Sequence, residues 1–215
     1  MTQTELITLL FDRPEDFGIY ESIAKLDAFV NGYRNTVEIG VDAVAANYNH
    51  WLQAHLRISH DRGWVAIISF FGTGEADTFR LGKAMWQKYL SDVRYAKPLE
   101  PPTLVLSPIG QSGSSALLAR MLETPHFYVG YESVVLIKAF MDGHERALRD
   151  VGIVDRDPLY SGFQTWVAER FKVAQRYDWA SIISFMTGTE SGAFKLVREL
   201  WQEYRAESER ELQTA

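Results

Sequence analysis

Apolar side chains recur at three- and four-residue steps along most of this chain. Ile23, Leu26, Phe29, Val30 and Tyr33 form one stripe, repeated later by Val134, Ile137, Phe140 and Met141. Tyr48, Trp51, Leu52 and Leu56 form a second, repeated by Phe163, Trp166, Val167 and Phe171. Phe79, Gly82, Trp86 and Tyr89 form a third, repeated by Phe194, Val197, Trp201 and Tyr204. This spacing puts each set on one face of an α-helix. Two shorter runs, Leu6-Ile7 with Leu9-Leu10 and Leu117-Leu118 with Met121-Leu122, predict helices that stop at Pro14 and Pro125. The run from Trp64 to Phe71 fits a buried strand or a helix. Asp178 as an N-cap for its later counterpart, and Gly72 and Gly188 as C-terminal caps, favour helix. The pairs Asn31-Gly32 and Asp142-Gly143 suit hairpin turns in isolation, but the helical periodicity around them points to a cap or close packing.

The stripes come in pairs because the chain reads as an internal duplication. Trp64 to Leu90 and Trp179 to Arg205, at an offset of 115, are identical at eleven of twenty-seven positions, including two tryptophans and a tyrosine. At an offset of 111, Pro14, Tyr20-Glu21-Ser22, Ala28-Phe29 and Gly32 face Pro125, Tyr131-Glu132-Ser133, Ala139-Phe140 and Gly143. The four extra residues of the second copy fall near Asp155-Arg156-Asp157-Pro158, which marks a surface loop. The period is too long for a solenoid. The expected fold is therefore all-α: a duplicated helical bundle with about five helices per copy, related by a pseudo-twofold axis. Copy one spans 1–93 and copy two 113–215. The proline- and glycine-rich connector 94–112 reads as a stiff extended linker followed by a flexible joint.

Composition narrows the picture without sharpening it. With 47% hydrophobic residues and 28 aromatic rings, the chain can bury a sizeable core. It has no cysteine, which removes disulfides, thiolate metal sites and a cysteine nucleophile. Neither a leader-like start nor an apolar run of membrane-spanning length is seen, so a cytoplasmic location is expected. The net charge is −6, with 8 basic against 11 acidic residues in 1–90 and 12 against 15 in 113–215. Nucleic acid and anionic membranes are disfavoured as partners, and basic proteins are permitted.

Candidate chemistry is thin. Gly110-Gln111-Ser112-Gly113-Ser114-Ser115 lacks the lysine of a phosphate loop and the final glycine of a nucleophile elbow, and Ser114 or Ser115 reads as a helix N-cap. Gly72-Thr73-Gly74 is a fragment of a dinucleotide fingerprint and reads as an interhelical turn, with Glu75 and Glu190 opening the following helices where the dipole favours a carboxylate. His50, His55 and His60, spaced by five, cannot share a helix face and read as surface residues, so no metal ligand is assigned. Tyr20-Glu21-Ser22 and Tyr131-Glu132-Ser133 could supply acid–base groups, but a tyrosine packed at a helix entrance with serine as the cap accounts for them better.

Arg13-Pro14, Gly18, Ala28-Phe29 and Gly32-Tyr33, with Pro125, Tyr128, Gly130, Ala139-Phe140, Gly143 and then Trp179 and Ile182-Ile183, resemble a poorly characterised bacterial family. Its members carry an Arg-Pro-x-x-Tyr-x-Gly pattern and an Ala-Phe-x-x-Gly-Tyr helix, and some resemble toxin-immunity proteins. Phe17 replaces the patterned tyrosine in copy one, and Thr124 the arginine in copy two. The resemblance implies a cytoplasmic protein without catalysis or cofactor that binds a cognate, basic toxin domain and covers its active site. The binding surface is expected where the copies differ, with Glu75, Asp77, Asp155, Asp157 and Glu190 as acidic contacts, in a monomer or weak dimer. The alternatives are an enzyme using the Tyr/Glu elements in a cleft between the copies, or a structural or regulatory scaffold.

Overall fold

The computed structural model describes residues 1–38, 42–60, 62–97, 103–154 and 157–214. Its elements are almost all helical, as the periodicity requires. α1 (Gln3–Asp12) leads through a 3-10 turn (Pro14–Phe17) to α2 (Ile23–Thr36), α3 (Ala43–Leu56), α4 (Trp64–Phe71) and α5 (Glu75–Asp92). The second half runs α6 (Ser114–Glu123), a short α7 (His126–Val129), α8 (Val134–Asp150), α9 (Pro158–Arg170), α10 (Trp179–Thr187) and α11 (Glu190–Thr214). The same order thus occurs twice, with the proline turn of the first half lengthened to α7 in the second. The only strands among the described residues are β1 (Val37–Glu38) and β2 (Val105–Leu106), paired antiparallel.

Equivalent polar residues start equivalent helices. Ser22 caps α2 by accepting from the Lys25 N–H, and Ser133 caps α8 by accepting from that of Leu136. Asp42 accepts from the Ala45 N–H at the start of α3 and from the Thr4 N–H in α1; Asp157 accepts from Tyr160 in α9 and Ser115 in α6. One carboxylate in each half therefore ties two helix starts together. Ser114 and Ser115 do not cap α6, whose N-cap is Gly113. The Asp157 carboxylate has taken the capping role, and the Ser114 hydroxyl turns inward to His144 Nε2 at 3.1 Å.

The aromatic interiors repeat in detail. Tyr48 lies 6.2 Å from Trp51, 5.8 Å from Trp64 and 4.9 Å from Trp86, at interplanar angles of 18°, 57° and 87°. Phe163 lies 6.2, 5.7 and 5.0 Å from Trp166, Trp179 and Trp201, at 18°, 56° and 87°. Each cluster anchors its own core, one drawn mainly from Leu6 to Tyr89 and the other from Leu117 to Tyr204.

Between the cores, α2 and α8 form the most extensive helix contact in the protein. They run side by side in the same direction: Ala28 clusters with Leu136 and Ala139 near their starts, and Thr36 meets His144 near their ends. Gly32 and Gly143 permit this approach. A Cβ on Gly32 would lie 1.9 Å from the Phe140 carbonyl oxygen, and one on Gly143 2.0 Å from that of Phe29. Of the two readings of these glycines, close packing is the outcome. The later part of the connector turns back onto the end of α2. Ser107 N–H donates to the Thr36 carbonyl at 2.9 Å, and Gln111 and Ser112 close turns onto Ser107 and Ile109.

Candidate functional site

The segment that was ambiguous between strand and helix explains where the surface is unusual. α4 is an eight-residue helix, Trp-Val-Ala-Ile-Ile-Ser-Phe-Phe, and α10 begins Trp-Ala-Ser-Ile-Ile-Ser-Phe-Met. A two-turn helix turns only one stripe to a core. Ile67-Ile68 and Ile182-Ile183 occupy that stripe and are buried. Trp64 and Trp179 turn to the aromatic clusters, and the apolar residues at the far ends of these helices face outward, leaving Phe70 81% and Phe185 84% exposed, with Phe71 and Met186 beside them.

Each exposed phenylalanine borders an open apolar groove between its helix and the preceding segment. The first groove, about 410 Å³, is lined by Ile58, His60, Arg62, Ala66, Ile67, Phe70 and Phe71. The second, about 430 Å³, is lined by Val173, Tyr177, Ser181, Ile182, Phe185 and Met186. At the 115-residue offset the second wall is the first one over again, with Val173 for Ile58, Tyr177 for Arg62, Ser181 for Ala66 and Met186 for Phe71. Packing explains identical residues at buried positions of the two halves. It does not explain an identical aromatic residue held in water twice.

The acidic residues expected to meet a partner have distinct placements. Glu75 and Glu190 open α5 and α11, just past the outer ends of α4 and α10. Glu190 accepts a hydrogen bond from the Ser133 hydroxyl at 2.6 Å. Burial raises the Tyr131 phenol, and Glu190 and then Glu75 raise it further. Asp77 accepts from the Thr73 N–H and hydroxyl, both at 3.0 Å, which hold its carboxyl below the ordinary range; Arg80 lies 3.7 Å away. Asp157 is the double cap described above. Burial alone would raise its carboxyl, but hydrogen bonds from Ser115, Tyr160 and Leu159 outweigh that and lower it. Asp155 lies outside the described residues.

The Tyr-Glu-Ser elements come to the same end of the molecule because α2 and α8 are parallel. Their serines are caps, as expected, but their tyrosines are not packed: Tyr20 is 71% exposed and Tyr131 54%. The two elements also differ in backbone. Tyr20 and Glu21 have φ of 47° and 57°, whereas their counterparts stay out of the left-handed region. A phenol raised as Tyr131 is moves away from the range useful for proton transfer near neutrality.

A polar cleft of about 380 Å³ lies between the first-half turn and α8 with α10. Three of its charged groups are engaged within the fold. Lys138 is hydrogen-bonded to Asp142, and Asp178 caps α10 through the Ser181 N–H at 2.8 Å. Burial would lower the Lys138 ammonium, but the facing carboxylates, Asp142 first, raise it and hold it charged. His50, His55 and His60 are exposed, and His55 stacks on Trp51. No cluster of three metal-ligating side chains occurs among the described residues, and none of their helices is long and apolar enough to cross a membrane.

The grooves are the candidate site that periodicity alone misses. Their signal in the sequence is Ile-Ile-Ser-Phe in both halves, an apolar run too dense for a short helix to bury. Comparison with protein-family models, curated proteins and solved structures returns no match to this chain.

Proposed function

We propose that this chain is an internally duplicated protein-binding module whose partner docks on the apolar grooves beside Phe70 and Phe185. The duplication reading is supported by the repeated helix order, the matched ring geometries of Tyr48 and Phe163, and the reciprocal glycine contacts across α2 and α8. The observation that carries the binding reading is the pair of identical phenylalanines, each more than four-fifths exposed, on equivalent grooves. Large aromatic residues held in water at a concave apolar surface are the usual anchors of protein interfaces.

Within that reading, the specific case we put forward is a cytoplasmic immunity protein that covers the active site of a basic toxin. Its support is the net charge of −6, the carboxylates of Glu75 and Glu190 at the starts of the helices that follow α4 and α10, and the family resemblance. The test is coexpression with a toxin-like protein encoded next to this chain's gene. Wild type should rescue growth and copurify, and the double variant Phe70→Ser/Phe185→Ser should do neither while melting at the wild-type temperature. Full rescue by that variant would exclude the grooves as the binding surface.

A further inference from the structure

The polar cleft between the first-half turn and α8 with α10 carries charges that the fold does not require. Lys138, Asp142 and Asp178 are engaged as described above. The other charged side chains that line it are Lys25, Arg149 and Arg176 against the carboxylate of Asp16, and none of these four forms an ion pair among the described residues. Lys25 lies 5.5 Å from the centre of the Tyr20 ring and Arg176 4.8 Å from that of Tyr177, contacts that hold a cation without cancelling its charge. In a chain of net charge −6, three cations to one carboxylate is a local reversal of sign. The other half of the chain shows that packing does not ask for it. At the offsets of 111 and 115 residues, Lys25, Arg149 and Arg176 correspond to Leu136, Glu38 and Asp61, so a base is needed at none of the three positions.

Two further features belong to the same cleft. Lys138 donates to Asp142 Oδ1, so Asp142 Oδ2 has no donor among the described residues, and burial raises this carboxyl even with Lys138 beside it. Tyr20 and Glu21 follow one another in the left-handed region, at φ 47° and 57°, a conformation that their counterparts Tyr131 and Glu132 avoid, and Tyr20 lines the cleft with its side chain exposed. Backbone strain that the fold does not require is a mark of binding sites. We infer that this cleft binds a small organic anion, a hydroxylated ring that carries a phosphate or carboxylate group. Lys25, Arg149 and Arg176 draw the anionic group, and the two guanidinium forks match its oxygens. The ring lies against Tyr20, and its hydroxyls donate to Asp142 Oδ2 and Asp16. At about 380 Å³ the cleft has the size of a small-molecule site. This site is separate from the apolar grooves and does not rest on the protein-binding reading.

Three probes share one ring and differ in charge: glucose 6-phosphate, glucuronate and glucose. In calorimetric titrations into the full chain at low salt, at least one of the two anions should bind with a submillimolar Kd, and glucose about tenfold more weakly or not at all. Which anion binds identifies the group that the cations receive. Arg149 and Arg176 are exposed, so Arg149→Gln and Arg176→Gln should each melt as the wild type does, and each should weaken the anion about tenfold. The inference is overturned if neither anion binds, if glucose binds as tightly as the anions, or if either arginine variant keeps the wild-type affinity.

Discussion

Adding one methyl group at Gly32 should separate the halves of this protein. In an exposed helix interior, Gly→Ala stabilises by about 0.8–1.0 kcal/mol because alanine loses less backbone freedom on folding. Here the new Cβ would lie 1.9 Å from a carbonyl oxygen of the facing helix, where ordinary contact begins near 3.4 Å. The obstacle is backbone, so α2 and α8 must part by more than an ångström along their whole contact. Overpacking of a close-packed interior costs about 1–3 kcal/mol, and a rigid obstacle belongs at the upper end. After the propensity gain, Gly32→Ala should lose about 2 kcal/mol, or about 4–8 °C in Tm for a chain of this size. Gly143→Ala, with its Cβ at 2.0 Å from the Phe29 carbonyl, should lose the same. The double variant should lose less than the sum, because the first displacement makes room for the second. Gly82→Ala is the control: its Cβ meets the Ile23 side-chain tip at 2.8 Å, which can swing aside, so the change should stay within about 1 kcal/mol of neutral. Thermal and urea melts decide the matter. A Gly32→Ala variant that melts above wild type, as an unpacked helical glycine would, refutes the parallel central pair.

Further predictions come from places where the two halves differ. The buried Tyr48 hydroxyl has no hydrogen-bond partner among the described residues, and its counterpart is Phe163, so Tyr48→Phe should raise stability by about 1 kcal/mol in a chemical melt; a loss would mean that the hydroxyl is satisfied. Trp86 Nε1 donates to Thr8 Oγ1 at 3.0 Å, whereas Trp201 Nε1 lacks a partner among the described residues and the counterpart of Thr8 at the 111-residue offset is Ala119, so Ala119→Thr should be neutral or stabilising by up to about 1 kcal/mol despite the lower helix propensity of threonine. Asp157→Ala should cost about 1–2 kcal/mol through the lost double cap, and Asp42→Ala a similar amount in the other half. The Asp157 carboxyl is lowered in the fold, so its contribution is complete above the unfolded value near pH 4 and disappears as pH falls through the folded one. Melts of Asp157→Ala and wild type should therefore converge in acid, and a constant difference from pH 7 to pH 2 would contradict the capping role.

Helix class and order were legible because the apolar stripes are long and several starts carry a side-chain cap, such as Ser22, Ser133 or Asp178. Caps supplied from a distant part of the chain were not: Ser114 and Ser115 look like caps in their local context, but the Ser115 N–H finds its acceptor in Asp157, 42 residues away. The parallel arrangement of α2 and α8 was equally hidden, since Gly32 and Gly143 show in sequence only that backbone approaches something closely. Of the acidic contacts that the sequence offers, Glu75 and Glu190 open α5 and α11, Asp77 and Asp157 accept hydrogen bonds from Thr73 and from Ser115 and Tyr160, and none of these four lines a groove. Phe70 and Phe185 were visible as a repeat but not as exposed, because helical periodicity assigns dense apolar runs to the core and does not say how many of their faces a neighbour covers.

The most direct test of the account is hydrogen exchange by mass spectrometry on the chain alone and with its copurifying partner bound. Protection gained in both α4 and α10, over 64–71 and 179–187, is the predicted result. Protection confined to other segments, with both of these helices exchanging as in the free chain, would contradict it.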